Sequence, residues 1–123
     1  MADRKRALVV DDDEPIRTML TKILERQSLE VDVARDGQEA IDRITSDDGY
    51  SVILLDLMMP RVDGFQVLDY LSRHHPAKLA RTIVASAIPE SEVRRRFEGN
   101  VYRIHAKPFD MARLLGDVKA CLN

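Results

Sequence analysis

Short runs that are apolar at every position alternate along the chain with stretches whose apolar residues recur every three or four places. Residues 7–10 (ALVV) form the first run, as a strand buried on both faces requires. Pro15 then stands where a first helical turn tolerates its missing N–H. Ile16, Met19, Leu20, Ile23 and Leu24 lay one apolar stripe through about Arg26. Leu29, Val31 and Val33 alternate with polar residues, the pattern of a strand near an edge. Gly37 opens a second helix with Ala40, Ile41 and Ile44 on its face, and the polar cluster 47–49 ends it. Residues 51–56 (SVILLD) read as a fully apolar strand ending in Asp56. After the loop 57–64, Phe65, Val67, Leu68 and Leu71 mark a helix to about His74. Residues 81–87 (RTIVASA) form a strand ending in Ser86, and residues 90–98 a fourth helix with Val93 and Phe97 inward. Residues 101–109 (VYRIHAKPF) give a fifth strand ending at Lys107 and Pro108. A last helix carries Met111, Leu114, Leu115, Val118 and Leu122 on one face.

Five strand–helix pairs in this order predict a parallel sheet with helices on both faces. Right-handed crossovers make it a doubly wound α/β fold. The expectation is a five-stranded, flavodoxin-like (βα)5 sheet in the order 2-1-3-4-5. A chain of 123 residues is one domain's worth, taken as 1–123 with a core from about 6 to 122. The formal net charge of −2 gives no support to nucleic acid or an anionic membrane as partner. The basic N-terminal residues precede only four apolar ones, too few for a signal-peptide core, and no stretch approaches membrane-spanning length. Cys121 is the single cysteine, so no disulfide forms within the chain and a reducing, cytoplasmic setting is expected. Cys121 reads as a small apolar residue of the last helix.

The chemistry lies where the strands end. In an open parallel sheet ligands bind outside the carboxyl ends of the strands. Four predicted strands end in Asp11-Asp12, Asp56, Ser86 and Lys107, which the βα pattern brings to one edge. Clustered carboxylates need a counter-charge to stay ionised. A hard divalent cation supplies one, and Mg2+ takes one or two carboxylates while bridging phosphate oxygens. A lysine neutralises a phosphate oxygen as a point charge, and a serine hydroxyl donates to another. A carboxylate between metal and lysine suits nucleophilic attack on phosphorus. Any one of these acids alone reads as a helix cap. Asp13 and Glu14 take that reading, and Asp36 reads as a helix-start or turn residue. Capping does not account for the whole set.

With these motifs in hand, the chain from about Ala7 to its end resembles the receiver domain of two-component response regulators. VVDDDEPIR looks like the family's first-strand acidic pair, and LLDLMMPRVDGFQVL like its phosphoacceptor loop. IVASA matches the strand ending in Ser or Thr before Ala, and AKPF the Lys-Pro stretch. The resemblance implies that Asp56 accepts the phosphoryl group. It implies that Asp12 and Asp56 ligate Mg2+ (or Mn2+) directly, that Asp11 acts mostly through water, and that the Met58 carbonyl is a further ligand. Ser86 and Lys107 would contact the phosphoryl oxygens, and Pro108 would follow a cis bond. The implied donor is a sensor histidine kinase or a histidine phosphotransfer protein. The implied output runs through the face of the fourth helix, fifth strand and fifth helix to a downstream protein or domain, with a homodimer formed on phosphorylation.

Many members carry an aromatic three residues before the lysine, where this chain has Ile104. Tyr102, two residues away on the strand, is the candidate to share its role by period two. Two rival readings remain. Asp11-x-Asp13 resembles the nucleophile motif of haloacid-dehalogenase-type phosphatases, and a receiver-like binding module need not use phosphate at all. Otherwise the domain is a switch rather than an enzyme. Arg94, Arg95 and Arg96 read as a solvated helix face, and His74, His75 and His105 as structural or solvated residues.

Overall fold

The apolar runs become one parallel sheet in a computed structural model of the chain, which describes residues 5–47 and 49–123. The strands are β1 (Arg6–Val10), β2 (Glu30–Ala34), β3 (Tyr50–Leu55), β4 (Thr82–Ser86) and β5 (Arg103–Ala106). Their spatial order is β2-β1-β3-β4-β5, as the alternation of elements predicts. The helices are α1 (Glu14–Glu25), α2 (Gly37–Ser46), α3 (Gly64–His74), α4 (Pro76–Leu79), α5 (Glu90–Arg96) and α6 (Met111–Leu122). Met1 to Arg4, with Arg4 the first basic residue of the N-terminus, and Asp48 of the cluster expected to end α2 lie outside the described residues.

The sheet divides the core in two. Leu8, Val10, Ile53, Leu55 and Val84 face the side covered by α2, α3 and α5. Ala7, Val9, Val52, Leu54 and Ile83 face α1 and α6, where Leu20, Leu24, Leu114 and Val118 meet them. Both faces of β1, β3 and β4 are therefore sealed, which is why those strands are apolar at nearly every position. Each fully buried Leu or Ile stabilises by about 1.5–3 kcal/mol relative to exposure. β2 is an edge strand, and its middle residues are half-buried, matching its alternating pattern.

Three elements depart from the sequence reading by more than a residue at an end. The one-turn α4 was not anticipated. Pro76 occupies its first position, where the missing N–H costs nothing. α5 ends at Arg96, and Phe97 leaves in an extended conformation while still packing on the core. β5 is only four residues long, so Val101, Tyr102 and the Lys107-Pro108 pair fall outside it. Helix starts follow the acids. Asp13, Asp36 and Asp110 accept from the amides of Ile16, Glu39 and Arg113 at 3.0, 2.9 and 3.2 Å. Asp63 and Gln66 form a reciprocal capping box.

Two buried groups carry predictions. Tyr50 is almost wholly enclosed, and its hydroxyl donates to Asp32 at 2.7 Å. Burial, reinforced by Asp32, pushes the phenol up to about 12. An unfolded tyrosine ionises near pH 10, so this group's stabilisation is complete below that pH and is lost as pH rises towards about 12. Urea unfolding should therefore show stability falling more steeply over that window in wild type than in Tyr50→Phe. Parallel slopes would contradict it. Cys121 is buried on α6, and burial pushes its thiol up. Iodoacetamide at mildly alkaline pH should alkylate it at least about tenfold more slowly in the native protein than in urea. Equal rates would contradict the placement.

Candidate functional site

Parallel register sets the site. Val10 is aligned with Leu55 of β3 and with Ala34 of β2. The next residues, Asp11 and Asp56, therefore leave the sheet side by side. The Asp11 amide donates to the Ala34 carbonyl at 3.1 Å, and the Asp56 amide to the Val10 carbonyl at 2.9 Å. Asp12 follows at the start of the turn and is exposed. One carboxylate oxygen from each of Asp11, Asp12 and Asp56 lies within 4.8 Å of the other two.

Asp11 and Asp56 are 2% and 4% exposed, so their charges sit in a poorly solvated place. Lys107 supplies the counter-charge. Its Nζ lies 3.1 Å from Asp11 Oδ2 and 3.4 Å from Asp56 Oδ2. The other Asp11 oxygen accepts from the Asp13 amide at 2.9 Å, and the other Asp56 oxygen from the Met58 amide at 3.1 Å. Burial pushes the Asp11 carboxyl up, and the Asp56 charge adds to this against the Asp13 amide and Lys107. Burial by itself would lower the Lys107 ammonium, but its contacts with Asp11 and Asp56 outweigh that and leave it raised. Lys107 is thus a firm cation.

Ser86 ends β4 fully buried. Its Oγ accepts from the Ile88 amide at 3.4 Å, and its carbonyl accepts from the Lys107 amide at 2.9 Å. Lys107 precedes Pro108 through a cis bond, as the resemblance implies. Met58 directs its amide to Asp56 and leaves its side chain exposed. The donor set is made of hard carboxylate oxygens beside a cation, which suits Mg2+ rather than a thiolate- or imidazole-seeking metal.

Four residues that support the site were not singled out for these roles from the sequence. Gly64 closes the loop after Asp56 by donating to the Leu57 carbonyl at 3.0 Å. A Cβ there would lie 2.4 Å from the Asp56 carbonyl oxygen, so only glycine fits. Arg17 donates to the Asp11 carbonyl at 2.8 Å. Gly37 and Arg61 tie the loop after β3 to the turn after β2. Nothing in a single sequence pairs Arg61 with Asp36 or Arg17 with Asp11.

Tyr102 does not share the face of Ile104. Ile104 packs on the α5 side of the sheet, whereas Tyr102 packs with the α1 and α6 cluster. β5 begins only at Arg103, so period two does not extend back to Tyr102. Arg94 and Arg96 pair with Glu90 and Glu92 one turn earlier, at 2.9 and 3.5 Å, and Arg95 reaches Glu92 at 3.8 Å. Arg96 also lies 3.9 Å over the Phe65 ring, so it is not purely solvated. His105 is buried against Asp117 of α6 at 2.6 Å, while His74 and His75 stand beside Tyr70 at the end of α3.

The family profile of the response regulator receiver domain matches residues 7–119. The chain belongs to the response regulator receiver family. It is therefore a receiver domain of two-component signalling, a module that acts as a phosphoacceptor switch. The transcriptional regulatory protein SrrA of Staphylococcus aureus is 39% identical over 116 residues, covering 94% of this chain and 46% of SrrA. The chain thus spans about half the length of the curated relatives it matches. Among solved receivers, the CheY-like protein of Methanospirillum hungatei superposes with a TM-score of 0.88 at 25% identity, covering 98% of this chain and 94% of that one. The response regulator TrrA of Thermotoga maritima, solved in complex with Mg2+-BeF, gives a TM-score of 0.83 at 28% identity, covering 96% of this chain and 99% of that one. Receivers of this family bind Mg2+ at an acidic pocket, and this chain gathers Asp11, Asp12 and Asp56 into an acidic cluster. Among the described residues no helix is long and apolar enough to cross a membrane.

Proposed function

We propose that Asp56 accepts a phosphoryl group from the phosphohistidine of a sensor histidine kinase or a histidine phosphotransfer protein. The observation that carries this is a buried carboxylate held between two further carboxylates and one lysine at the carboxyl edge of the sheet. An oxygen of Asp56 attacks phosphorus while the N–P bond of a phosphohistidine, protonated at its other ring nitrogen, breaks. The bonding pair stays with the imidazole, which leaves neutral. Water later attacks phosphorus, returning the carboxylate and inorganic phosphate.

Each neighbour has a part. Lys107, already 3.4 Å from Asp56, moves its charge from carboxylate to phosphoryl oxygen. Ser86 donates its hydroxyl to another phosphoryl oxygen. The Met58 amide keeps Asp56 turned towards the edge. Asp12 and Asp56 would hold Mg2+ directly, with the Met58 carbonyl, and Asp11 through water. Bound Mg2+ supplies charge neutralisation at the oxygens of the transferred group. The complex of TrrA with Mg2+-BeF supports the same use here. Asp13 is exposed and its Oδ1 caps Ile16, which accounts for this acid without the phosphatase-type reading.

Family membership supports the rest of the reading. The domain occupies 1–123 and works in the cytoplasm, where Cys121 stays reduced. Phosphorylation alters the face of α5, β5 and α6 for an output protein, an output domain or a second copy. With Ile104 in place of an aromatic ring, that change runs by another route than ring rotation. The site assignment is tested by phosphorylation with acetyl phosphate and Mg2+, hydroxylamine trapping and peptide mass spectrometry. Hydroxamate at Asp56 alone is the expected result. Hydroxamate at Asp11 would replace this reading with the phosphatase type.

A further inference from the structure

The loop 57–63 joins β3 to α3 and carries Met58. It is fastened to a different part of the chain, the turn between β2 and α2. The Gly37 amide donates to the Val62 carbonyl at 3.0 Å. A Cβ on Gly37 would come within 2.1 Å of that oxygen, so the two backbones are in direct contact. Beside this contact the Arg61 guanidinium pairs with the Asp36 carboxylate. Arg61 adopts φ of +61°, a left-handed conformation that a non-glycine residue takes up only where its surroundings hold it.

The pair is unlike an ordinary surface ion pair. The Arg61 side chain is 73% exposed, but that of Asp36 is only 8% exposed. Asp36 is also fixed from below, since its other oxygen accepts from the Glu39 amide at 2.9 Å as the cap of α2. It therefore loses little freedom in meeting Arg61. The Glu39 amide and Arg61 together hold the Asp36 carboxyl below its ordinary range, so it is charged whenever the protein is folded near neutrality. The next turn of the same loop is closed at Gly64 on the Leu57 carbonyl. The loop is thus pinned at both ends, next to the residue that follows Asp56.

We propose that Asp36 and Arg61 are positioning residues, a charged clamp that holds loop 57–63 so that Met58 and Asp56 keep the geometry phosphoryl uptake requires. This rests on Asp56 being the acceptor. Neither residue touches the reacting atoms.

The test uses Asp36→Asn, which keeps a capping oxygen, Arg61→Gln, and the double variant. Arg61→Gly is added because it relieves the left-handed backbone while removing the charge. Two readouts are taken: amide exchange without metal, and the rate of adduct formation with acetyl phosphate and Mg2+. Exchange of amides 57–63 should rise about fivefold or more in each variant, with β1 and β3 unchanged. Uptake should fall about three- to tenfold. The double variant should be no worse than either single one, since each already breaks the same contact. Unchanged exchange, exchange raised equally throughout the protein, or additive losses would overturn the clamp. If wild type forms no adduct while loop exchange responds as stated, the acceptor reading fails and the proposed role in uptake fails with it. If wild type is phosphorylated and the variants match it in both readouts, the clamp alone fails.

Discussion

Replacing Gly64 with alanine is expected to unfold the protein more readily by about 1–3 kcal/mol and to cut phosphoryl uptake by more than about tenfold. The added methyl group would meet the Asp56 carbonyl oxygen and the Leu57 Cα, both at 2.4 Å. Neither neighbour is the flexible end of a side chain, so relief requires moving the backbone. That backbone carries Asp56 and, two residues on, the amide that orients its carboxylate at 3.1 Å. Stability and chemistry should therefore fail together. Urea unfolding and acetyl phosphate uptake on the same preparation check this. Wild-type uptake in a destabilised Gly64→Ala protein would show that the loop moves without disturbing Asp56. The same change at Gly116, whose Cβ would meet nothing within 4 Å, should be benign or slightly stabilising.

Removing the Lys107 charge should be the second large effect. Lys107→Ala leaves Asp11 and Asp56, both buried, without the ammonium that lies 3.1 and 3.4 Å from them. A fully buried pair broken in this way costs about 3–5 kcal/mol. Lys107 retains 20% exposure, so a loss of about 1–3 kcal/mol is expected in the absence of divalent ions. Millimolar Mg2+ should recover part of it, because the ion neutralises the same carboxylates and binds only the folded state. Denaturation with and without Mg2+ measures both numbers. A variant as stable as wild type without metal, or one that Mg2+ does not help, would contradict the charge balance described for the site.

The sequence made the sheet legible because every central strand is sealed on both faces and so is apolar at nearly every position. β2 alternated because it is an edge. Strand ends were legible for the same reason: the apolar runs stop at Asp11, Asp56 and Ser86, where the chain leaves the core. Parallel register then places those residues together whatever the helices do. The limits of β5 were less visible. Val101 and Tyr102 have the composition of a strand, but Tyr102 packs on the side of the sheet opposite Ile104. Alternation counts only within a strand in register; the Tyr102 amide donates to the Thr82 carbonyl at 2.8 Å, but the register of β5 with β4 starts at Arg103. The Asp36–Arg61 pair and the Arg17 contact with Asp11 were invisible for a different reason. They join residues of separate loops, and no periodicity reports on them. Asp36 read as a helix-start or turn residue and is the cap of α2, but its second oxygen had no predictable partner.

Intact mass after incubation with acetyl phosphate tests the central claim most directly, on wild type and Asp56→Asn, each with and without Mg2+. One phosphoryl adduct that requires both Mg2+ and Asp56 is the predicted result. An adduct that persists in Asp56→Asn, or no adduct in wild type with Mg2+ present, would contradict the account.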